Sequence, residues 1–132
     1  MINTIYLSGA SVCLDDEGLG WRKIAKAMFS DISYDCFLPN QYFNYSTLPP
    51  STDKECMNYF LYRLKHSKLV VVNLQHTKKS VGTGMELALA HEWGIPIIGF
   101  NKDDTSYPWS VELCDVILDD LKEVVDYIQI YY

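Results

Sequence analysis

The stretch Ser80-Val81-Gly82-Thr83-Gly84-Met85-Glu86 packs a hydroxyl, two glycines and a carboxylate into the opening of one predicted helix. Two kinds of chemistry suit that combination. Glycines ahead of a helix expose amides at the positive end of its dipole, and Lys78, Lys79 and Ser80 add charge and a hydroxyl to such an anion site. A carboxylate at Glu86, facing a cleft, can act as a nucleophile. The spacing Thr83-x-x-Glu86 fits a capping box equally well, with Glu86 reaching back to the Thr83 amide. From the residues alone both roles for Glu86 stay open. Other site chemistries find little support. The stretch is neither a Walker loop nor a GxGxxG dinucleotide fingerprint. His66, His76 and His91 show no metal-ligand spacing, and no GxSxG nucleophile elbow is present. No metal and no cofactor is expected.

The elements that would position these residues are legible as apolar runs. "TIYLSG" (4–9), "LVVVNL" (69–74) and "IPIIGF" (95–100) are short, β-branched and uninterrupted, as parallel strands covered on both faces are. "YDCFLP" (34–39) and "DVILD" (115–119) are weaker strand candidates. Between them lie helical patterns. "GLGWRKIAKAMFSD" sets Trp21, Ile24, Ala25 and Met28 on one predicted face, and "STDKECMNYFLYRLKHS" sets Met57, Phe60, Leu61 and Leu64 on another, with Ser51 as N-cap. "TGMELALAHEWG" ends at Gly94, a C′ glycine, and "DDLKEVVDYIQIYY" carries Leu121, Val124, Val125 and Ile128. Such alternation gives an α/β fold: a flavodoxin-like, Rossmann-like doubly wound sheet of about five parallel strands in three layers, with expected order 2-1-3-4-5. Ligands bind such sheets beyond the carboxyl ends of the strands, at the switch point between strands 1 and 3. The loops "SGASVCLDDEG" and "QHTKKSVGTG", and with them Glu86, fall there. Tyr42, Phe43 and Tyr45 in the loop 40–53 suggest a lid or a wall for a flat ring.

Composition narrows the function classes. A chain of 132 residues and 15.2 kDa is expected to form one domain over 1–132. A formal charge of −6, with no basic cluster longer than a pair such as Lys78-Lys79, argues against a nucleic-acid polymer as partner. No apolar run approaches the roughly 20 residues of a membrane span, and "MINTIYLSGA" has no basic n-region, so it reads as a strand rather than a signal peptide. Cys13, Cys36, Cys56 and Cys114 form no CxxC pair, which fits free thiols in a cytoplasmic protein.

"IYLSGA", "LYRLKHSKLVVVNL", "SVGTGMELALAHEWGIPIIGF" and "CDVILDDLKEVVDYI", in that order, resemble the nucleoside 2-deoxyribosyltransferase family, which includes 2′-deoxynucleoside 5′-monophosphate N-glycosidases. Ser-x-Gly-x-Gly-Met-Glu at 80–86 is the most specific piece. The resemblance implies a retaining attack on the N-glycosidic bond by Glu86, with Tyr6 beside it. It places Gly9, flanked by Ser8 and Ala10, against the sugar, and Ser80 and Gly82 against a 5′-phosphate. Transferases acting on free nucleosides tend to be acidic at the Ser80 position, so Ser80 with Lys78 and Lys79 points to a phosphorylated substrate. It also implies a homodimer or higher homo-oligomer, a small-molecule nucleoside or nucleotide as partner, and no membrane. Three positions depart from the family pattern. Phe60 stands about where an aspartate assists the leaving base, Ala10 replaces a serine, and Lys68 replaces an acidic residue ahead of the third strand. Phe60, a substrate-binding candidate, opens an alternative: a nucleotide-binding module of the same fold with impaired turnover, serving to sense or sequester.

Overall fold

A computed structural model describes residues 3–11, 14–39 and 52–132. The chain alternates β1 (Thr4–Gly9), α1 (Leu19–Ser30), β2 (Asp35–Phe37), α2 (Asp53–Lys65), β3 (Leu69–Asn73), a 3-10 turn (Thr77–Lys79), α3 (Val81–Glu92), β4 (Ile97–Phe100), α4 (Pro108–Leu113), β5 (Val116–Leu118) and α5 (Leu121–Tyr131). All five strands are parallel, in the order β2-β1-β3-β4-β5. The expected order and all five expected strands are present, with the two weaker ones only three residues long. The six-residue α4, begun by Pro108 at its first turn, lies where the sequence reading placed no element.

The sheet is buried on both faces because its strands alternate between two cores. Ile5 and Leu7 of β1, Leu69 and Val71 of β3, and Ile98 and Phe100 of β4 pack under α1 and α5. Tyr6, Val70, Val72 and Ile97 face the other way, against Leu64 of α2 and Leu87 and Ala90 of α3. Tyr6 and Ser8, two residues apart, therefore share the α2/α3 side, and Glu86 arrives on α3 from that same side.

Three local expectations are corrected. In α1 the buried stripe runs through Arg22, Ala25 and Phe29, one position off the predicted one, and Ile24 is 59% exposed. Met57 of α2 is exposed too, although Phe60, Leu61 and Leu64 pack inward. The cap of α2 is Thr52, whose hydroxyl accepts the Glu55 amide, while Ser51 lies outside the described residues. Tyr42, Phe43 and Tyr45 also lie outside them. Helix α3 does end ahead of Gly94, whose φ of 72° is the left-handed conformation expected of a C′ glycine.

Candidate active site

Helix α3 starts three residues earlier than a Thr83 cap would place it. Ser80 is the N-cap: its Oγ accepts the Thr83 amide at 3.3 Å and lies 2.6 Å from Thr83 Oγ1. Thr83 is buried inside the first turn, and Glu86 lies in the second. The capping box is therefore absent. Residues 83, 86, 87 and 90 share one helix face by their spacing of three and four, and Thr83, Leu87 and Ala90 are all buried. Glu86 is the charged member of that inward stripe.

Its carboxylate meets β1. Tyr6 Oη donates to Glu86 Oε2 in a short hydrogen bond, and Ser8 Oγ donates to Oε1 at 2.9 Å. Each oxygen thus has one donor from the strand, and the two donors sit on alternate residues of the same strand face. Burial pushes the Glu86 carboxyl above the ordinary glutamate range. The Tyr6 and Ser8 hydrogen bonds and the Arg22 guanidinium oppose that push without cancelling it. The helix dipole gives the carboxylate little help, because Glu86 in the second turn lies beyond the amides that Ser80 caps. Tyr6 is driven far up, by burial first and by Glu86 second, so it remains a phenol and a donor.

Glu86 opens onto a cavity of about 550 Å³ at the carboxyl ends of β1 and β3. Gly9, Phe60, Ser80 and Gly82, all expected at the site, line it together with Glu86. Tyr6 and Ser8 lie fully buried behind the carboxylate. Ala10 is buried in the turn after β1, and Ser11 lines the cavity in its stead. Lys79 borders the cavity. A Cβ added to Gly82 would meet nothing within 4 Å, so no packing contact demands glycine there. Lys68 is remote: its Nζ reaches Tyr34 Oη and the Tyr132 carbonyl, near the amino end of β3. That departure from the family pattern cannot touch the site.

Two charged lining residues escaped the sequence reading. Arg22 is 1% exposed, and its signal was a charge on the 22-25-29 stripe of α1, hidden by choosing a stripe one residue away. Asp53 borders the cavity from the first turn of α2, on the face shared by Cys56, Met57, Phe60 and Leu61. Glu55 and Asn58, polar residues near Phe60 on α2, do not line it. Phe60 packs edge-on against Phe37 at 5.9 Å, and Phe37 in turn packs against Tyr6 at 5.3 Å. Among the described residues no three His, Cys, Asp or Glu side chains are grouped so as to hold a metal ion, and no helix is long and apolar enough to cross a membrane.

No protein-family model and no curated protein matches the sequence. Solved structures do match. A conserved protein from Enterococcus faecalis V583 superposes with a TM-score of 0.80 at 15% identity, over 100% of both chains. A 2-deoxyribosyltransferase from the psychrotolerant Bacillus psychrosaccharolyticus gives 0.76 at 18% identity, over 94% of this chain and 91% of that one. A 2-desoxiribosyltransferase from Leishmania mexicana gives 0.75 at 16% identity, over 98% and 99%. Over nearly its whole length, then, the chain has the fold of the 2-deoxyribosyltransferases.

Proposed function

We propose that the protein cleaves, or transfers across, the N-glycosidic bond of (2′-deoxy)nucleosides or their 5′-monophosphates, by a retaining double displacement on Glu86. The observation that carries this reading is the carboxylate itself: half-buried on the inner stripe of α3, held by two strand hydroxyls, and open to a cavity at the carboxyl edge of the sheet. A capping or packing role would not require a half-buried anion there, since burial of a carboxylate disfavours its ionisation.

One Glu86 oxygen attacks C1′ as the C1′–N bond breaks, and the bonding pair leaves on the base, which takes up a proton. The product is a glycosyl ester of Glu86. Water or a second base then attacks C1′ from the opposite face and returns the carboxylate, giving hydrolysis or transfer. Tyr6 and Ser8 fix the orientation of the carboxylate before attack. Ser80, Gly82 and Lys79, at the amino end of α3, suit a 5′-phosphate. Val81, 92% exposed, and Met85, 41% exposed, stand beside the cavity, and we read them as the contact of a homo-oligomer.

The apolar wall at Phe60 favours a second reading, a binding module that holds a nucleotide without turning it over. One experiment separates the two. The protein is incubated with a panel of nucleosides and 5′-monophosphates, with and without an acceptor base, and free base is measured by chromatography. Base release that Glu86→Gln abolishes supports the enzyme; saturable binding without release supports the module.

A further inference from the structure

Arg22 presents an unusual combination: a guanidinium 1% exposed, on a helix of the opposite layer, hydrogen-bonded among the described residues to three backbone carbonyls. Its place follows from an open edge in the sheet. Pairing of β1 with β2 ends at Tyr6↔Phe37, whereas pairing with β3 runs on to Gly9↔Asn73. The Lys68 amide bonds to the Thr4 carbonyl on the β3 side, so by alternation the Leu7 and Gly9 carbonyls point to the side where β2 has stopped. Arg22 takes the place of the absent strand. Its Nε donates to Leu7 O at 3.2 Å and Nη2 to Gly9 O at 2.9 Å, spanning Ser8 between them, while Nη1 donates to Gly18 O at 3.0 Å.

The turn is shaped around this group. Gly18 has φ 75°, and a Cβ there would lie 2.3 Å from Arg22 Nη1 and 2.6 Å from the Ala10 carbonyl. Asp16 accepts the Gly18 and Gly20 amides and so fixes the loop that delivers the third carbonyl. The guanidinium also stands over the Trp21 ring, 4.9 Å from its centroid. Neutral carbonyls and a ring do not cancel a buried unit charge, and arginine cannot shed its proton.

We propose that Arg22 is the positioning residue of the Glu86 site, clamping the end of β1 so that Ser8 and Tyr6 present their hydroxyls, and serving as the counter-charge that keeps the carboxylate anionic. Among the described residues, the charged and titratable groups facing Glu86 are few. Tyr6 comes from β1, Arg22 from α1, Lys79 from the 3-10 turn, and Asp53 and Cys56 from α2 across the cavity. Of the two cations, Lys79 is exposed and screened by solvent, and Arg22 is not. In agreement, the guanidinium lowers the Glu86 carboxyl, against the upward push of burial. A lysine could supply the charge but not the fork that spans two carbonyls.

The catalytic consequence rests on Glu86 being the nucleophile; the clamp and the counter-charge do not, and the test keeps them apart. Arg22→Gln and Arg22→Lys are labelled with carboxyl-13C glutamate, and the Glu86 resonance is identified by its loss in Glu86→Gln. The Glu86 midpoint should rise by about one pH unit or more in Arg22→Gln and stay within about half a unit of wild type in Arg22→Lys. In base release, kcat of Arg22→Gln should fall with KM little changed, and the acid limb of its profile should move alkaline by the same amount as the titration. Arg22→Lys should restore the position of that limb. A folded Arg22→Gln whose Glu86 titrates like wild type overturns the proposal. Should that variant not fold, an alkaline shift of a unit or more in Arg22→Lys, which retains the charge, overturns it instead. If wild type releases no base from any substrate, the nucleophile reading fails while the titration still decides on Arg22.

Discussion

Across the cavity from Tyr6, Ser8 and Glu86 stands a wall of another kind. Helix α2 presents Cys56, Met57, Phe60 and Leu61, with one carboxylate, Asp53, at its first turn. On the β1–α3 side the polar groups are tied to one another through the sheet, and Arg22 pins the strand that carries two of them. On the α2 side the contacts are edge-on rings and alkyl groups, the lining that accepts a flat heterocycle without choosing among its polar edges. On the proposed mechanism that difference divides the work: one wall would hold an anion for attack at carbon, and the other would accommodate a leaving group.

The sharpest break of that contrast is Glu86→Gln. Loss of a covalent nucleophile should lower base release by at least about 10⁴-fold. The same substitution should raise stability at neutral pH. Burial holds the folded carboxyl above its unfolded value, so the folded state binds the proton more tightly. The contribution of Glu86 to stability is then fully present below the unfolded value, about pH 4.3, and lost as pH rises through the folded one. Glutamine escapes that loss. Urea unfolding near neutral pH should favour Glu86→Gln, and the advantage should shrink as the pH is lowered toward about 4.3. A variant equally inactive but less stable at neutral pH would show that the anion is better compensated than burial implies.

Tyr6→Phe tests the strand side at smaller amplitude. The ring stays against Phe37, so packing is retained, but one carboxylate oxygen loses its donor. Rate should fall roughly 10- to 100-fold, the span of ~1.4–2.7 kcal/mol for a lost hydrogen bond to a charged group. Because that bond holds the Glu86 carboxyl down, the acid limb of the pH–rate profile should move alkaline. A lower rate with an unmoved limb would mean that Tyr6 acts on the substrate rather than on Glu86.

The sheet was the legible part of this chain, for a physical reason. A parallel strand covered on both faces must be apolar at every position, and "TIYLSG" and "LVVVNL" are nearly so. Of the polar exceptions, Thr4, Tyr6, Ser8 and Asn73, it is Tyr6 and Ser8 that meet Glu86. The start of α3 was not legible, because Ser80 and Thr83 can both cap a helix and lie one turn apart. Choosing Thr83 puts Glu86 in the first turn as a capping-box partner; choosing Ser80 puts it in the second turn, where it bonds to β1 instead. Arg22 was lost in the same manner, since in α1 Trp21-Ile24-Ala25-Met28 and Arg22-Ala25-Phe29 are both helical stripes, and hydrophobicity favours the wrong one.

On the α2 wall the comparison can be sharpened by asking where the proton for the base comes from. Asp53 is the acidic residue of that wall that lines the cavity, and Phe60 occupies the place an aspartate was expected to take. Asp53→Asn should slow release of ordinary bases by about 10- to 100-fold, less than or at the low end of the range for acid catalysis, and should spare substrates with better leaving groups. Equal slowing of both classes would mark Asp53 as a binding residue only. Phe60→Asp complements it: a gain on ordinary bases would show that the wall lacks an acid, and a loss of stability without gain would mark Phe60 as a packing residue.

The smallest effect is expected at Ser80, where structure and binding overlap in one hydroxyl. Ser80 Oγ already accepts the Thr83 amide, so Ser80→Ala should cost about 0.5–2 kcal/mol of stability through the lost cap, readable in urea unfolding. If the same hydroxyl and the amino end of α3 also receive a 5′-phosphate, wild type should prefer a 5′-monophosphate over its nucleoside, and added salt should weaken that preference. Ser80→Ala should then reduce the preference a few-fold while leaving turnover of the free nucleoside nearly unchanged, since the hydroxyl makes no hydrogen bond to Glu86, Tyr6 or Ser8. Ser80→Asp separates the two roles, because aspartate caps a helix as well as serine does but repels a phosphate. Stability kept and monophosphate binding lost in that variant would place the phosphate at α3. Monophosphate binding kept would move it elsewhere in the cavity and return the substrate to the free nucleoside.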